Sequence, residues 1–211
     1  MLADADVSGD SLVEPTHDRQ ACNPFRDIFM PRRNEGVGNA VVWIADISSG
    51  KADDLPRRTT VRLNDCSLHP RVHVIARGGT VLVGSGDAMV SRLRFADATG
   101  TLSDPRALIS FNDFGQVVPS RDVARTSGLV EIRDDKHPWV RGFVVVASHP
   151  YVVVTAPDGS FRIDDVPAGI YEVIVFSEAL GVLRQRVDVG ADTRLELRFG
   201  RRVQEITEQH Y

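Results

Sequence analysis

Lysine is nearly absent from this 211-residue chain: 23 of its 25 basic residues are arginine, leaving only Lys51 and Lys136. That skew points to a GC-rich genome rather than to an activity. A basic surplus is absent too, because 29 acidic residues bring the net charge to −4. Nucleic-acid binders usually carry a strongly basic face, and nothing in this composition demands one. Long apolar runs are missing; stretches such as Phe143 to Ala147 fall far short of the roughly 20 residues that cross a bilayer. The opening MLADADVSGDSLVEP has neither the basic nor the apolar region of a secretory signal. Either the chain stays in the cytoplasm, or its leader lies upstream of Met1. Hydrophobic residues at 42% and charged residues at 26% are ordinary for a soluble globular protein. A chain of this length buries roughly 70% of its unfolded surface, enough for one large or two small domains. Membrane spans of its own, disorder and generic polyanion binding are thereby excluded, and no activity is named.

Two cysteines, Cys22 and Cys66, stand 44 residues apart, outside any CxxC or zinc spacing. Spacing alone leaves two buried thiols and a disulfide equally open. A bridge over such a loop contributes roughly 3–4 kcal/mol by loop entropy and implies an oxidising compartment.

Strand signals recur from Ala40 onward. They cover Val41–Ile47, Val72–Ala76, Thr80–Val83, Arg92–Phe95, Leu129–Arg133, Gly142–Ala147, Tyr151–Thr155, Ser160–Ile163, Ile170–Phe176, Arg184–Val189 and Thr193–Phe199. These segments favour Val, Ile, Phe and Tyr and often alternate with polar residues. Turns at Gly78-Gly79, Ser127-Gly128, Pro157-Asp158-Gly159 and Pro167-Ala168-Gly169 punctuate them. Only 102–108 and 119–125 suit a short helical turn. The expectation is an all-β chain of sandwich or barrel architecture.

Most chemical patterns in the sequence weaken on inspection. Asp4-x-Asp6-x-Ser8-Gly9-Asp10 imitates a calcium loop, but position twelve is Pro15, where a bidentate Glu is required. His69 and His73 chelate only on a helix. On a strand four residues span roughly 13 Å, so they read as strand-surface histidines. Gly36-x-Gly38 lacks the third glycine of a dinucleotide loop, and Gly84-Ser85-Gly86 lacks nucleophile-elbow spacing. Carboxylates fall mostly in turns such as Asp164-Asp165. No catalytic pair stands out, so an enzyme is not expected.

Two stretches carry a family resemblance. Pro157-Asp158-Gly159-Ser160-Phe161 followed by Asp165-Val166-Pro167-Ala168-Gly169-Ile170-Tyr171 resembles the DGxF…VPxGxY signature of carboxypeptidase regulatory-like (transthyretin-like) β-sandwich domains. Asp-Gly and Pro-x-Gly make tight turns there, with Phe161 and Tyr171 packing inward. Cys66-x-x-x-Pro70-Arg71-Val72, Gly79-Thr80-Val81, Asp87 and His137-Pro138-Trp139 resemble the cupredoxin-like half of a bacterial two-part family. In that family the joint between the halves reads HPWM…V.DHPYF.VTD.DG.F. Here it reads His137-Pro138-Trp139-Val140, then Ala147-Ser148-His149-Pro150-Tyr151-Val152 and Thr155. The resemblance covers roughly 36–199. It implies two Greek-key-type β-sandwich or barrel domains, cupredoxin-like plus regulatory-like, and Asn39–Ile44 as an early sandwich strand would make them interleaved. The implied division is an extended arm 1–35, a first sandwich part 36–60, a cupredoxin-like domain 61–147, the sandwich again at 148–200 and a tail 201–211. Family members also place one cysteine before an NAVVW-like strand and one before P-R-V, matching Cys22, Asn39–Trp43 and Cys66. The resemblance thus implies a Cys22–Cys66 disulfide and a periplasmic location.

The departures decide the expected function. A type-1 copper site needs two imidazoles and a thiolate, usually with a weak axial thioether. Family alignment puts Ser91 at the first histidine position, Asp134 at the thiolate and Val140 at the methionine, leaving His137 alone. No copper, other metal or cofactor is therefore expected. The expected function is a non-catalytic periplasmic structural or interaction protein, an extrinsic accessory subunit on a respiratory or photosynthetic membrane electron-transfer complex. Its expected partners are protein subunits of that complex. The alternatives are a periplasmic carbohydrate- or peptide-binding module, or a metal carrier using His137, Asp134 and Asp135.

Overall fold

The computed structural model describes residues 11–16, 18–20, 22, 25–27, 36–45, 47, 49–98, 104–112, 114–191 and 193–199. The acidic run Asp4–Asp10 and the tail 201–211 lie outside them.

The chain is all-β. In order come β1 (Ser11–Val13), β2 (Phe25–Asp27), β3 (Val41–Ile44), β4 (Arg58–Asn64), β5 (Ser67–His69), β6 (Val72–Ala76), β7 (Thr80–Ser85) and β8 (Ser91–Asp97). There follow β9 (Ala107–Phe111), β10 (Val117–Ser120), β11 (Gly128–Asp134), β12 (Arg141–Ala147), β13 (Val152–Val154), β14 (Gly169–Ser177) and β15 (Gly181–Val189). β1 and β2 pair with each other inside the arm, and the rest form three sheets ordered β10-β7-β4-β5, β6-β12-β11-β8-β9 and β13-β3-β14-β15.

Side-chain alternation dictates how the first two sheets face each other. In Arg58–Asn64, Val61 and Leu63 are buried while Arg58 and Arg62 are exposed, and β8 likewise buries Ser91, Leu93 and Phe95. The inward residues Val61, Leu63, Val81, Val83, Leu93, Phe95, Phe111, Val130, Ile132 and Val144 make one core. β12 breaks the alternation, with every residue from Gly142 to Ala147 buried. The cause is a third layer. Phe143 and Val145 turn away from the first core and pack with Val72, Val41, Trp43, Val152, Val154 and Phe176. A strand covered on both faces reads as a continuous apolar run, which is the run Phe143 to Ala147 in the sequence.

β3 sits between β13 and β14, so the segment from Ala45 to Tyr151 leaves this third sheet and returns to it. The other face of the sheet buries Val42, Val173, Val175 and Val187 against Phe161, Ile163, Leu195, Leu197 and Phe199. Ser160–Ile163 and Thr193–Phe199, read as strands from their alternation, are not strands of the sheet. Their apolar side chains still cover it. Other readings also change. Residues 107–111 are a strand because Ile109 and Phe111 alternate into the core, 117–120 are a strand paired with β7, and among the described residues only Asp122–Ala124 forms a helical turn. β4, which begins at Arg58, crosses the expected boundary at 60/61.

Buried polar groups tie the third sheet to its loops. The Thr155 hydroxyl donates to the Val37 carbonyl at 2.6 Å and accepts from the Ala40 amide at 3.0 Å. The Tyr151 hydroxyl donates to the Asp165 carbonyl and accepts from the Lys51 amide. Gly36 passes so close to Asp158, and Gly38 to Pro157, that a Cβ at either would meet backbone, so this glycine pair serves close backbone contact. Thr155→Val, which keeps the shape but strands both backbone groups, should cost about 2 kcal/mol. Urea unfolding measures it; an unchanged midpoint would contradict the assignment.

Candidate functional site

The registers bring four connections to one end of the first two sheets. Leu63 pairs with Ser85, Gly84 with Val117, Ser91 with Phe111 and Leu93 with Asp134. The loops after Asn64, Ser85, Phe111 and Asp134 therefore meet there, and the arm residues Asp18 and Cys22 join them.

Asp134 organises this end. Its side chain is fully buried. Oδ1 accepts from the amides of Lys136 at 2.7 Å and His137 at 3.0 Å, and Oδ2 from the amide of Arg92 at 3.2 Å. The carboxylate closes the tight 134–137 turn and pins the neighbouring strand. It also lies 3.1 Å from His137 Nδ1, while His137 Nε2 lies 2.8 Å from Asp18 Oδ2. Asp134 and Asp18 thus flank the two ring nitrogens of His137 from opposite sides. The imidazole is fully buried and meets Trp139 edge-on at 5.3 Å. Val140 and Ser91 are buried in the same region. The Ser91 Oγ and Trp139 Nε1 atoms have no partner among the described residues.

Of the sequence-nominated positions, Asp134 and His137 are thus in direct contact, with Val140 closing the turn through its carbonyl to the Asp134 amide. The two carboxylates occupy opposite nitrogens of one ring, so no single ion could be shared by all three groups. Among the described residues no three His, Cys, Asp or Glu side chains are grouped to hold a metal. Asp135, the other nominated carboxylate, points elsewhere and pairs with Arg94 at 3.0 Å and Arg92 at 3.5 Å. The Arg94 guanidinium holds its carboxyl below the usual carboxylate range. Asp18 was not readable as part of the site: it lies in a polar arm 119 residues from its partner. The one available signal was Cys22, four residues on, whose pairing brings the arm to this end.

Cys22 and Cys66 form a disulfide, with Cα atoms 5.5 Å apart. Both are buried, and the Met89 sulfur lies 3.5 Å from Cys22 Sγ and 3.7 Å from Cys66 Sγ. Asp65 and Cys66 take left-handed backbone angles, φ 50° and 58°, which side-chain-bearing residues rarely adopt. Asp87 compensates by accepting from both amides at 2.8 and 2.9 Å.

The remaining nominations resolve into structure. His69 is exposed on β5, but His73 on β6 is buried, correcting the surface reading. Its neighbour across the sandwich is Thr59, whose hydroxyl lies 3.1 Å from Nδ1. Burial pushes its pKa down to about 4, only partly opposed by a backbone contact at Pro70. The unfolded histidine protonates near 6.5, so between these values the unfolded state binds the extra proton. Stability is complete above pH 6.5, falls by about 3 kcal/mol as pH drops towards 4, and levels off below. His73→Asn should flatten that part of the pH dependence in urea titrations; an unchanged slope would contradict it. Gly84-Ser85-Gly86 ends β7, with Ser85 bonded to Asp87. Asp165, also left-handed at φ 57°, turns the chain after Asp164.

No family model matches the chain, and no curated protein matches it. Solved structures that resemble it are cupredoxins. A Cu(I) amicyanin variant is 18% identical over 50% of this chain and 98% of its own, with a TM-score of 0.34. A purple cupredoxin of Nitrosopumilus maritimus is 17% identical over 42% of this chain and 98% of its own, also at 0.34. The copper-containing nitrite reductase of Thermus scotoductus SA-01 is 18% identical over 50% of this chain, at 0.37. The match spans a quarter of the nitrite reductase.

Proposed function

We propose that this chain is a non-catalytic, periplasmic interaction protein: a cupredoxin-like lobe without its copper ligands, joined to a regulatory-like sandwich lobe, serving as an extrinsic subunit of a membrane electron-transfer complex. The observation that carries the reading is the occupation of both nitrogens of His137 by Asp134 and Asp18. Carboxylates flanking both ring nitrogens of His137 hold it in a polar network rather than leaving it open as a ligand, and a carboxylate in place of a thiolate offers no blue-copper redox chemistry. What such an end can still contribute is shape. The apolar layer of Phe143, Val145, Trp43 and Phe176 and the Arg71–Glu178 pair couple the lobes, and a rigid body presents its loops at fixed positions for docking.

An extrinsic subunit is held by surface contacts alone. Native membranes should therefore retain the chain in low salt and release it into high salt or alkaline carbonate without detergent. Recovery wholly in the soluble fraction before any wash would overturn the docking reading.

One observation favours the ligand-binding alternative. A cleft of about 1090 Å³ runs beside the third sheet, lined by Phe161, Ile163 and Leu195, which cover the buried Val42, Val173 and Val175, and rimmed by Arg162 and Arg194. An apolar lining with a polar rim suits a small ligand or peptide. Hits on a glycan or peptide array, lost on Arg194→Glu at the rim, would move the assignment there.

A further inference from the structure

We propose that Cys22, Cys66 and Met89 form a latent soft-metal site, closed by the disulfide and opened by its reduction, that takes Cu(I). The inference does not depend on the docking reading, and none of Asp134, His137, Ser91 and Val140 is a ligand in it.

The argument rests on where three sulfurs are held. Met89 Sδ stands 3.5 Å from Cys22 Sγ and 3.7 Å from Cys66 Sγ, and all three residues are buried in one cluster. Each sulfur is positioned by something other than the disulfide. Cys66 sits in a left-handed loop that the Asp87 carboxylate clamps through the Asp65 and Cys66 amides. Met89 follows two residues after Asp87, in the loop between β7 and β8. Cys22 is tied by its own amide to the Asp18 carbonyl at 2.9 Å, and Asp18 is tied to His137. Opening the disulfide therefore leaves two thiols and a thioether facing one another at van der Waals separation.

Reduction by a dithiol donor transfers two electrons and two protons: the Cys22–Cys66 bond breaks, two thiols form and the donor leaves as its own disulfide. Binding of Cu(I) then displaces both thiol protons and forms two Cu–thiolate bonds, with the Met89 thioether as third ligand. Thiolate and thioether donors select Cu(I) over harder ions. The three sulfurs belong to a buried, otherwise apolar cluster that includes Val83 and Leu93, which would limit water at the metal.

The test is an anaerobic competition between the protein and bicinchoninate for Cu(I), with the full chain either oxidised or reduced by a phosphine that is removed by desalting before Cu(I) is added. Circular dichroism is followed in parallel. The reduced chain should withdraw one Cu(I) per molecule while keeping its β signature, and the oxidised chain none. Met89→Leu, which preserves volume, should weaken the reduced site by roughly 10-fold or more. The Cys22→Ala/Cys66→Ala double variant, which keeps a small apolar pair in place of the bridge, should abolish uptake. Equal uptake by oxidised and reduced chains, no uptake by the reduced chain, unchanged affinity in Met89→Leu, or loss of the β signature on reduction would each overturn the proposal.

Discussion

Replacing Asp134 by alanine should lower the unfolding free energy by about 4 kcal/mol, among the larger effects available to a single substitution. One carboxylate here accepts from three backbone amides and faces His137 Nδ1. A buried donor left without an acceptor costs about 1–3 kcal/mol, and alanine strands several at once. The turn that positions His137 would loosen, so the Asp18 contact should weaken with it. In a chain of this size the melting temperature should fall by roughly 10 °C. Asp134→Asn retains one carbonyl acceptor for the Lys136 and His137 amides and should recover part of the loss. A near-neutral Asp134→Ala would mean that the carboxylate does not organise this end.

Glu178→Ala should be comparably costly, and it should also change how the molecule unfolds. Glu178 takes Arg71 in a two-pronged pair at 2.6 and 2.9 Å, with both side chains about nine-tenths buried. Arg141 approaches the same carboxylate at 3.6 Å and reaches Glu131 at 2.7 Å, where Arg133 also binds at 2.8 Å. The network borders the apolar layer between the second and third sheets, where Phe143 and Phe176 meet edge-to-face at 5.0 Å. Removing Glu178 takes a two-pronged charge contact from Arg71 in a nearly dry site, a loss of about 3–5 kcal/mol. Because the network joins β6, β11 and β12 to the turn after β14, its loss should uncouple the two lobes. Calorimetry should show one transition in the native chain and two in the variant. A single transition at an unchanged temperature would contradict the coupling.

Local signals in the sequence were good guides where local physics decides. Val72–Ala76 became a strand with the expected ends, because a β-branched run between a proline and a Gly-Gly turn has few alternatives. The Asp158-Gly159 turn is also as read, with Gly159 at φ 78° and Asp158 accepting from the Ser160 amide. Asp134 and His137 were brought out only by the family resemblance, and one turn holds both. Alternation proved less decisive at Thr193–Phe199, where Leu195, Leu197 and Phe199 cover a sheet without joining it. Of 102–108, residues 102 and 103 lie outside the described residues, and at 107–108 the helical reading lost to β8, whose open side pairs with Ala107–Phe111. Other features lie beyond local signals. Asp18 meets His137 across 119 residues, and Arg71 meets Glu178 across 107. Neither pairing leaves a spacing or a periodicity behind. The disulfide was ambiguous from spacing and followed only from the family resemblance.

The central claim, that this chain is a structural subunit of a larger membrane complex, is tested most directly by its size in native membranes. Mild detergent extraction, separation of intact complexes by size and detection of this chain across the fractions suffice. The account predicts co-migration with a large haem- or pigment-containing assembly. Migration alone near 23.2 kDa, with none in any larger species, would contradict it.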